Sequence, residues 1–427
     1  MQDTTEDGGA QTRREWLRGG AVAAATGLTA AAAVAGLAPA AVAAPPTPGA
    51  AFDVRAFGAK GDGKADDTAA AQAAADAALK AGGGRIHFPA GTYRMGRGLR
   101  FAAQERVDVT GDGLSTTLLH ERDEPLLLWP EGVSCREVSV RHLRVVSTGE
   151  PKAQGTAVVH CAGGVERSYF QHLLFFADAV RMGSGIVTDG VADTTTLESC
   201  VFWGVGGTGL KVARGSEVRV FGGRVIGNGS LSPGNVGIHL TGNNGGVHVV
   251  TTDLIGLHTS MQVGGGPGVT SNREVFLTHA TFDGSVHGLV QTDHAYTSVA
   301  GCWAASCDEE QILLAETAGG AILSVSGGTI FNGGAHGRTG AHHGLVVRAG
   351  RFTLTGVQVR HNKGVGVLVG DGAGDYAITG CRIHDNGTGA ELRGDRFAVS
   401  GCVFTNNGTN LTGVAAGPNR QITGNVL

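Results

Sequence analysis

The sequence is poor in aromatic side chains, which make up 5% of its 427 residues, and in charge, at 16%. So few Phe, Tyr and Trp do not suit one large globular core of the usual kind. Basic residues are not in excess: 33 Lys and Arg against 37 Asp and Glu give a net charge of −4. That excludes a polycationic footprint, so no nucleic-acid partner is expected. The 73 glycines follow no three-residue period, which excludes a collagen-like chain. A mean hydropathy of +0.04, with Val, Leu and Ile recurring throughout, excludes a disordered one. The seven cysteines lack partners at metal-ligand spacing, so neither a metal nor another cofactor is expected. What abounds is glycine among small β-formers, the composition of a long all-β protein with many short strands.

Residues Thr12-Arg13-Arg14-Glu15-Trp16-Leu17-Arg18 precede an Ala-rich apolar run that ends near Ala43. Paired arginines, an apolar stretch and Ala41-Val42-Ala43 predict a twin-arginine export signal over 1–43, cleaved before Ala44. An uncleaved anchor is the alternative. Residues 44–51, with Pro45, Pro46 and Pro48, read as a stiff linker. The mature chain, 52–427, is then expected to be secreted, with no membrane partner once the signal is removed. Export of a chain already folded in a reducing compartment predicts core thiols rather than disulfides.

Internal repetition is the strongest structural signal. LTGVQVRHN around Gly356, ITGCRIHDN around Gly380, VSGCVFTNN around Gly401 and ITGNVL around Gly424 are copies of one phrase. Looser copies pivot on Gly327, Gly301, His279, Thr252, Gly222, Ser199, His172, His142 and Gly111. Short β-runs at this period, without a helix, predict a solenoid in which each repeat is one coil. Alternation places Cys200, Cys302, Cys381 and Cys402 in one interior row, with Cys381 and Cys402 able to touch. The Asn six positions after a pivot (Asn362, Asn386, Asn407) suits a turn whose backbone it satisfies. Asp66-Asp67-Thr68, an Ala-rich stretch to Lys80 and Gly82-Gly83-Gly84 predict a short helix that lids the first coil. The repeat pattern runs to Leu427 without a polar cap; an open sheet edge there is protected by charge and twist or covered by a partner chain, which allows an oligomer.

Phe52-Asp53-Val54, Phe57-Gly58-Ala59-Lys60-Gly61-Asp62-Gly63, Asp66-Asp67-Thr68, Gln72 and Asp76 form a specific opening. It continues through Gly82-Gly83-Gly84, Phe88-Pro89-Ala90-Gly91-Thr92-Tyr93 and Gly111-Asp112-Gly113. This stretch, about 52–119, resembles the signature of the pectate-lyase-like superfamily, the rhamnogalacturonase- and epimerase-like β-helix proteins. The resemblance implies a single-stranded right-handed parallel β-helix, with 52–119 as cap and first coil and 120–427 as further coils. It also implies a protein that handles acidic or complex polysaccharide along one face. Asp62, Asp66 and Asp67 are read as turn and cap residues rather than metal ligands.

In the glycine-preceded strand of each repeat the outward row reads Arg181, Lys211, His239 and Gln262, then Val290, Leu313 and Val346. The first four make a cationic, hydrogen-bonding stripe suited to a uronate chain, or else an ordinary solvated strand face. Glycoside hydrolysis needs two carboxyl groups, and alignment puts Asp293 and Glu316 at one place in successive coils, with His294 beside Asp293, either as a catalytic pair or as turn residues on a polar rim. Asp283 and His287 enter the same coil from its other end as substrate contacts. Asp189 and Asp193, in the loop after Met182, either reach over the stripe or serve as turn residues of a glycine-rich loop. The Asn-Thr-Asp, Asp-Asp and Gly-His-Gly pattern of polygalacturonase-type enzymes is incomplete here, and no acidic group for a pectate-lyase calcium is found on the strands beside Arg181 and Lys211. An exported glycoside hydrolase on an acidic or pectin-like polysaccharide is the first expectation. A lyase, an epimerase or a non-catalytic glycan-binding β-helix is the alternative.

Overall fold

The structure, a computed structural model, describes residues 51–102, 106–133, 135–177, 182–265, 272–414 and 417–427. The twin-arginine segment and Arg181 lie outside the described residues. A parallel right-handed β-solenoid of about 13 turns is wound from short strands. Every strand pairing is parallel and joins one coil to the next, as the repeats predict.

Each coil crosses three strand faces in turn. The coil around Cys200 shows the order. Strand Thr196–Glu198 lies on the first face, Val201–Val205 on the second and Thr208–Ser216 on the third. Between the first two faces stands one residue in the left-handed region. His142, His172, Ser199, Gly222, His279, Gly301, Gly327, Gly356, Gly380, Gly401 and Gly424 all occupy that corner, with φ from 51 to 64°. The pivot predicted at Thr252 belongs to Thr251, φ 50°. Thr252 follows the corner, and its buried hydroxyl donates to the Val250 and Gly222 carbonyls. Gly111 is no left-handed corner; it is glycine because a Cβ there would stand 2.7 Å from the His142 oxygen.

The residue after the pivot turns inward. Cys200, Cys302, Cys381 and Cys402 take that place, all buried and unbonded. Each thiol meets the carbonyl two residues earlier: Glu198, Ala300, Thr379 and Ser400, at 3.5–3.6 Å. The Cys381 N–H donates to the Cys402 sulfur at 3.4 Å, so the two neighbours touch as expected. Burial pushes the Cys200 thiol up to about 12 and the Cys302 thiol up to about 11, which keeps both unreactive.

At the next corner the predicted asparagines stack. Asn362 Nδ2 donates to Asn386 Oδ1 (2.9 Å), and Asn386 Nδ2 to Asn407 Oδ1 (3.0 Å). The same oxygens accept the Asn362 and Asn386 backbone N–H groups, which no sheet partner reaches.

Helix α1 (Thr68–Lys80) lays Ala71, Ala74, Ala75 and Ala78 on the first coils. Only alanine on that face lets helix and sheet approach closely. Gln72 docks it by donating to the Arg100 carbonyl (2.9 Å) and accepting the Arg100 N–H (3.0 Å). The three aspartates act on backbone. Asp62 accepts from Lys64 and Ala65, Asp66 from Thr68 at the helix start, and Asp67 from Lys60 and Gly61. These N–H donors hold the Asp62 carboxyl below its ordinary range; for Asp66 the Thr68 hydroxyl is the main cause.

Asn386→Ala strips partners from buried donors and acceptors on both sides of its coil. It should lower the free energy of unfolding by about 2 kcal/mol or more in a urea titration.

Candidate functional site

Backbone pairing lines up the outward row of the third face. Lys211 stands opposite His239, His239 opposite Gln262, and Gln262 opposite Val290, with Leu313 and Val346 beyond. The predicted stripe is therefore assembled for these three polar residues. The register sets Val187 beside Lys211 and His160 beside Val187. The glycine-preceded strand of that coil is Gly185-Ile186-Val187-Thr188, inside Ser184–Asp193. It carries the pattern of Gly209-Leu210-Lys211-Val212 more closely than Ala179-Val180-Arg181-Met182 does.

An open groove of about 380 Å³ lies over this row, with His160, Asp189, Lys211 and His239 among its lining residues. Asp189 sits where the register of its strand shifts between Thr188 and Val191, a bulge that re-aims its side chain. Its carboxylate meets His160 Nε2 at 2.7 Å and Lys211 Nζ at 3.0 Å. The His160 hydrogen bond, then Lys211, hold the carboxyl down at about 2. An ionised carboxylate only accepts, so His160 carries its proton on Nε2. Across Lys211, His239 Nε2 faces the Gly264 carbonyl at 3.0 Å. That nitrogen is the donor, which leaves Nδ1 with the lone pair. Burial first, then the Lys211 charge, lowers the His239 pKa, so the ring is neutral near pH 7.

The groove rim is stitched by Gln154, whose Nε2 donates to the Gly206 (3.1 Å) and Pro233 (3.2 Å) carbonyls, 52 and 79 residues away. Gly207 must be glycine there, since a Cβ would stand 1.9 Å from the Gln154 oxygen.

Asp293 and Glu316 meet different surroundings. Asp293 is buried; its Oδ2 accepts the Asn272 N–H at 2.8 Å and the Asn272 side-chain amide, and Oδ1 accepts from Ala295 at 3.2 Å. Its turn packs beneath Gly264, where a Cβ would meet the Asp293 Cβ at 2.9 Å. Asp293 thus supports the carbonyl that orients His239. Glu316 faces solvent, 75% exposed, 3.5 Å from Arg348. His294 is exposed on that rim. Asp283 ends strand Thr281–Asp283 on the second face, away from the groove. His287 stands at the leading edge of the third face, where Nδ1 meets the nearly buried Glu310 at 2.8 Å. His160 is the functional candidate that sequence reasoning missed, although it alternates outward in Val158-Val159-His160-Cys161 just as Lys211 does. Asp189 does reach the stripe, the first of its two sequence readings, through Lys211.

Comparison with known proteins agrees with this architecture. The family described as Rhamnogalacturonase A/epimerase, pectate lyase-like, matches residues 51–125, and the right handed beta helix region matches 343–426. The A-module of mannuronan C-5 epimerase AlgE4 from Azotobacter vinelandii superposes with a TM-score of 0.62 at 17% identity, covering 87% of this chain and 100% of that one. The two family models together cover less than half of the chain, and at 17% identity the superposition shows a shared β-helix fold. Alginate lyase 7 of A. vinelandii is 45% identical over 73 residues, 16% of this chain and 8% of that protein. Mannuronan C5-epimerase AlgE2 is 44% identical over 73 residues, again 16% of this chain and 7% of its own length. The sequence likeness thus spans under a tenth of either relative. An exopolygalacturonase from Yersinia enterocolitica shares the fold at a TM-score of 0.51 and 13% identity, over 89% of this chain and 78% of that one.

Two measurements check the assignments. A carbon-detected titration should find Asp189 ionised until the pH falls through about 2, with Lys211→Met moving the midpoint up. By linkage, the stabilisation from this depressed group is complete above about pH 4 and is lost below it as the pH falls through the folded value. Asp293→Asn should cost about 2 kcal/mol of stability, whereas Glu316→Gln should stay within about 0.5 kcal/mol.

Proposed function

We propose that the groove binds a uronate-containing polysaccharide and removes the C5 proton of one residue, leading to epimerisation or to elimination across C4 and C5. The observation that carries this reading is the in-register pair of a lysine ammonium and a neutral imidazole, Lys211 and His239, beside a carboxylate held ionised. A proton next to a carboxylate is removed only if the charge that builds up on the carboxylate is met. Lys211 is placed to meet it, and the free Nδ1 of His239 to take the proton. Asp189 fixes the positions of Lys211 and His160. The C5–H electron pair then moves onto the carboxylate. It returns either to bind a proton from water on the opposite face, which inverts C5 while His239 gives its proton to solvent, or to expel the C4 oxygen, which takes up a proton as the hydroxyl of the departing chain and leaves a C4–C5 double bond.

Two-carboxyl hydrolysis fits the groove less well. Asp189 is the one carboxylate among its described lining residues, and held at about 2 it carries no proton to give near neutrality. Likeness to alginate lyase 7 and the mannuronan C5-epimerases supports the uronate reading, and the signal read over 1–43 would place the substrate outside the cytoplasm.

The test incubates the protein with polymannuronate, polyguluronate and polygalacturonate in deuterated water. Deuterium at C5 without scission reports epimerisation; ultraviolet absorbance of the unsaturated uronate reports elimination. New reducing ends with neither signal would replace this reading by hydrolysis. Lys211→Met should lower kcat by about 10²–10³, and His239→Gln by about 10² or more. Because the His239 pKa is lowered, the acid limb of kcat/KM should fall below the ordinary histidine value of about 6.5.

A further inference from the structure

The second strand face, one corner before the groove, carries an outward row that is apolar where a solvated sheet is expected to be polar. Val146, Phe176, Trp203, Ile226 and Ile255 stand opposite one another on successive strands. Phe176 and Trp203, at its centre, are 41% and 48% exposed. Leu119 extends the row by one coil, and Arg94 and Asp283 end it.

The row tracks the groove. The coil that supplies Val146 supplies His160; that of Phe176 supplies Asp189; that of Trp203 supplies Lys211; those of Ile226 and Ile255 supply His239 and Gln262. In the following coil both rows change together, to Asp283 on one face and Val290 on the other. Two features of different chemistry on adjacent faces, extending over the same coils, point to one extended ligand.

Its dimensions argue against a second copy of the chain. Six strands at about 4.8 Å and a width of one or two side chains give roughly 200–300 Å², against about 800 Å² on each partner of a stable complex. A narrow band with two side-by-side aromatic rings matches a linear glycan, whose sugar rings present C–H faces at a repeat close to the strand spacing. Arg224 and Asp253, paired at 2.8 Å beside the band, offer a hydrogen-bonding rim for hydroxyl groups.

We infer that the Phe176–Trp203 band is a second carbohydrate-binding surface that holds a polysaccharide chain against the outside of the solenoid, alongside the groove. The inference rests on the polysaccharide reading above, but not on the reaction assigned to it.

The experiment compares wild type, a Phe176→Ala/Trp203→Ala double variant, Trp203→Tyr and Lys211→Met on long polymannuronate chains and on short oligomers of the same uronan. Both rings face outward, so the thermal midpoint of the double variant should match wild type and serves as the folding control. The double variant should bind long chains about tenfold more weakly, with kcat/KM on short oligomers unchanged. Trp203→Tyr should retain long-chain binding, and Lys211→Met should lose turnover while keeping it. Unchanged long-chain affinity in the double variant would overturn the inference. So would a dimer in sedimentation that the double variant abolishes, which would assign the band to a second copy. Long-chain binding that needs Trp203 but brings no uronate turnover would sink the proposed reaction and leave the surface standing. No binding of any uronan or neutral glucan by wild type would remove both.

Discussion

A parallel solenoid is held by one requirement: each strand must satisfy its backbone N–H and C=O groups on the coil before and the coil after. That requirement fixes register, and register turns a period in the sequence into a row in space. The left-handed corner from His142 to Gly424 is the device that keeps it, because one residue at the same φ in every coil sends each chain onto the next face at the same height. The thiols after the corner and the asparagine stack follow from it. Both are side chains placed where the backbone turns away from its sheet partner, and both return hydrogen bonds there.

The same requirement sorts the acidic residues into two kinds. Asp62, Asp66, Asp67 and Asp293 accept from backbone N–H groups at corners, and their charge maintains the shape of turns. Asp189 leaves the ladder through a bulge and meets side chains instead. Whether a carboxylate in this fold has chemistry to offer therefore depends on which of the two it faces.

Most of the architecture was legible because solenoid geometry repeats. The pivots, the Cys381–Cys402 contact, the Asn362–Asn386–Asn407 stack and the row through Lys211, His239 and Gln262 all follow from counting within a period. Misreadings came where a coil breaks the period. The buried hydroxyl of Thr252 imitates the corner that Thr251 occupies. The glycine-rich stretch before Asp193 looks like loop in sequence, while the register makes it the strand that carries Val187. The strands just before Asp293 and Glu316 pair in register, Gln291 with Leu314, but pairing of backbones does not decide side-chain direction; Asp293 accepts hydrogen bonds within its turn, and Glu316 faces solvent.

Gln154 has a consequence of another kind. Contacts in a solenoid are almost all between adjacent coils, so such a chain can wind from any starting point and fray from its ends. Gln154 breaks that locality by holding the Gly206 and Pro233 carbonyls, both in later coils. The rim of the groove is thereby completed only after those coils have been laid down. Shape arises coil by coil, whereas the rim is a cooperative property of several coils together, and a partly wound chain has the scaffold without the closed edge.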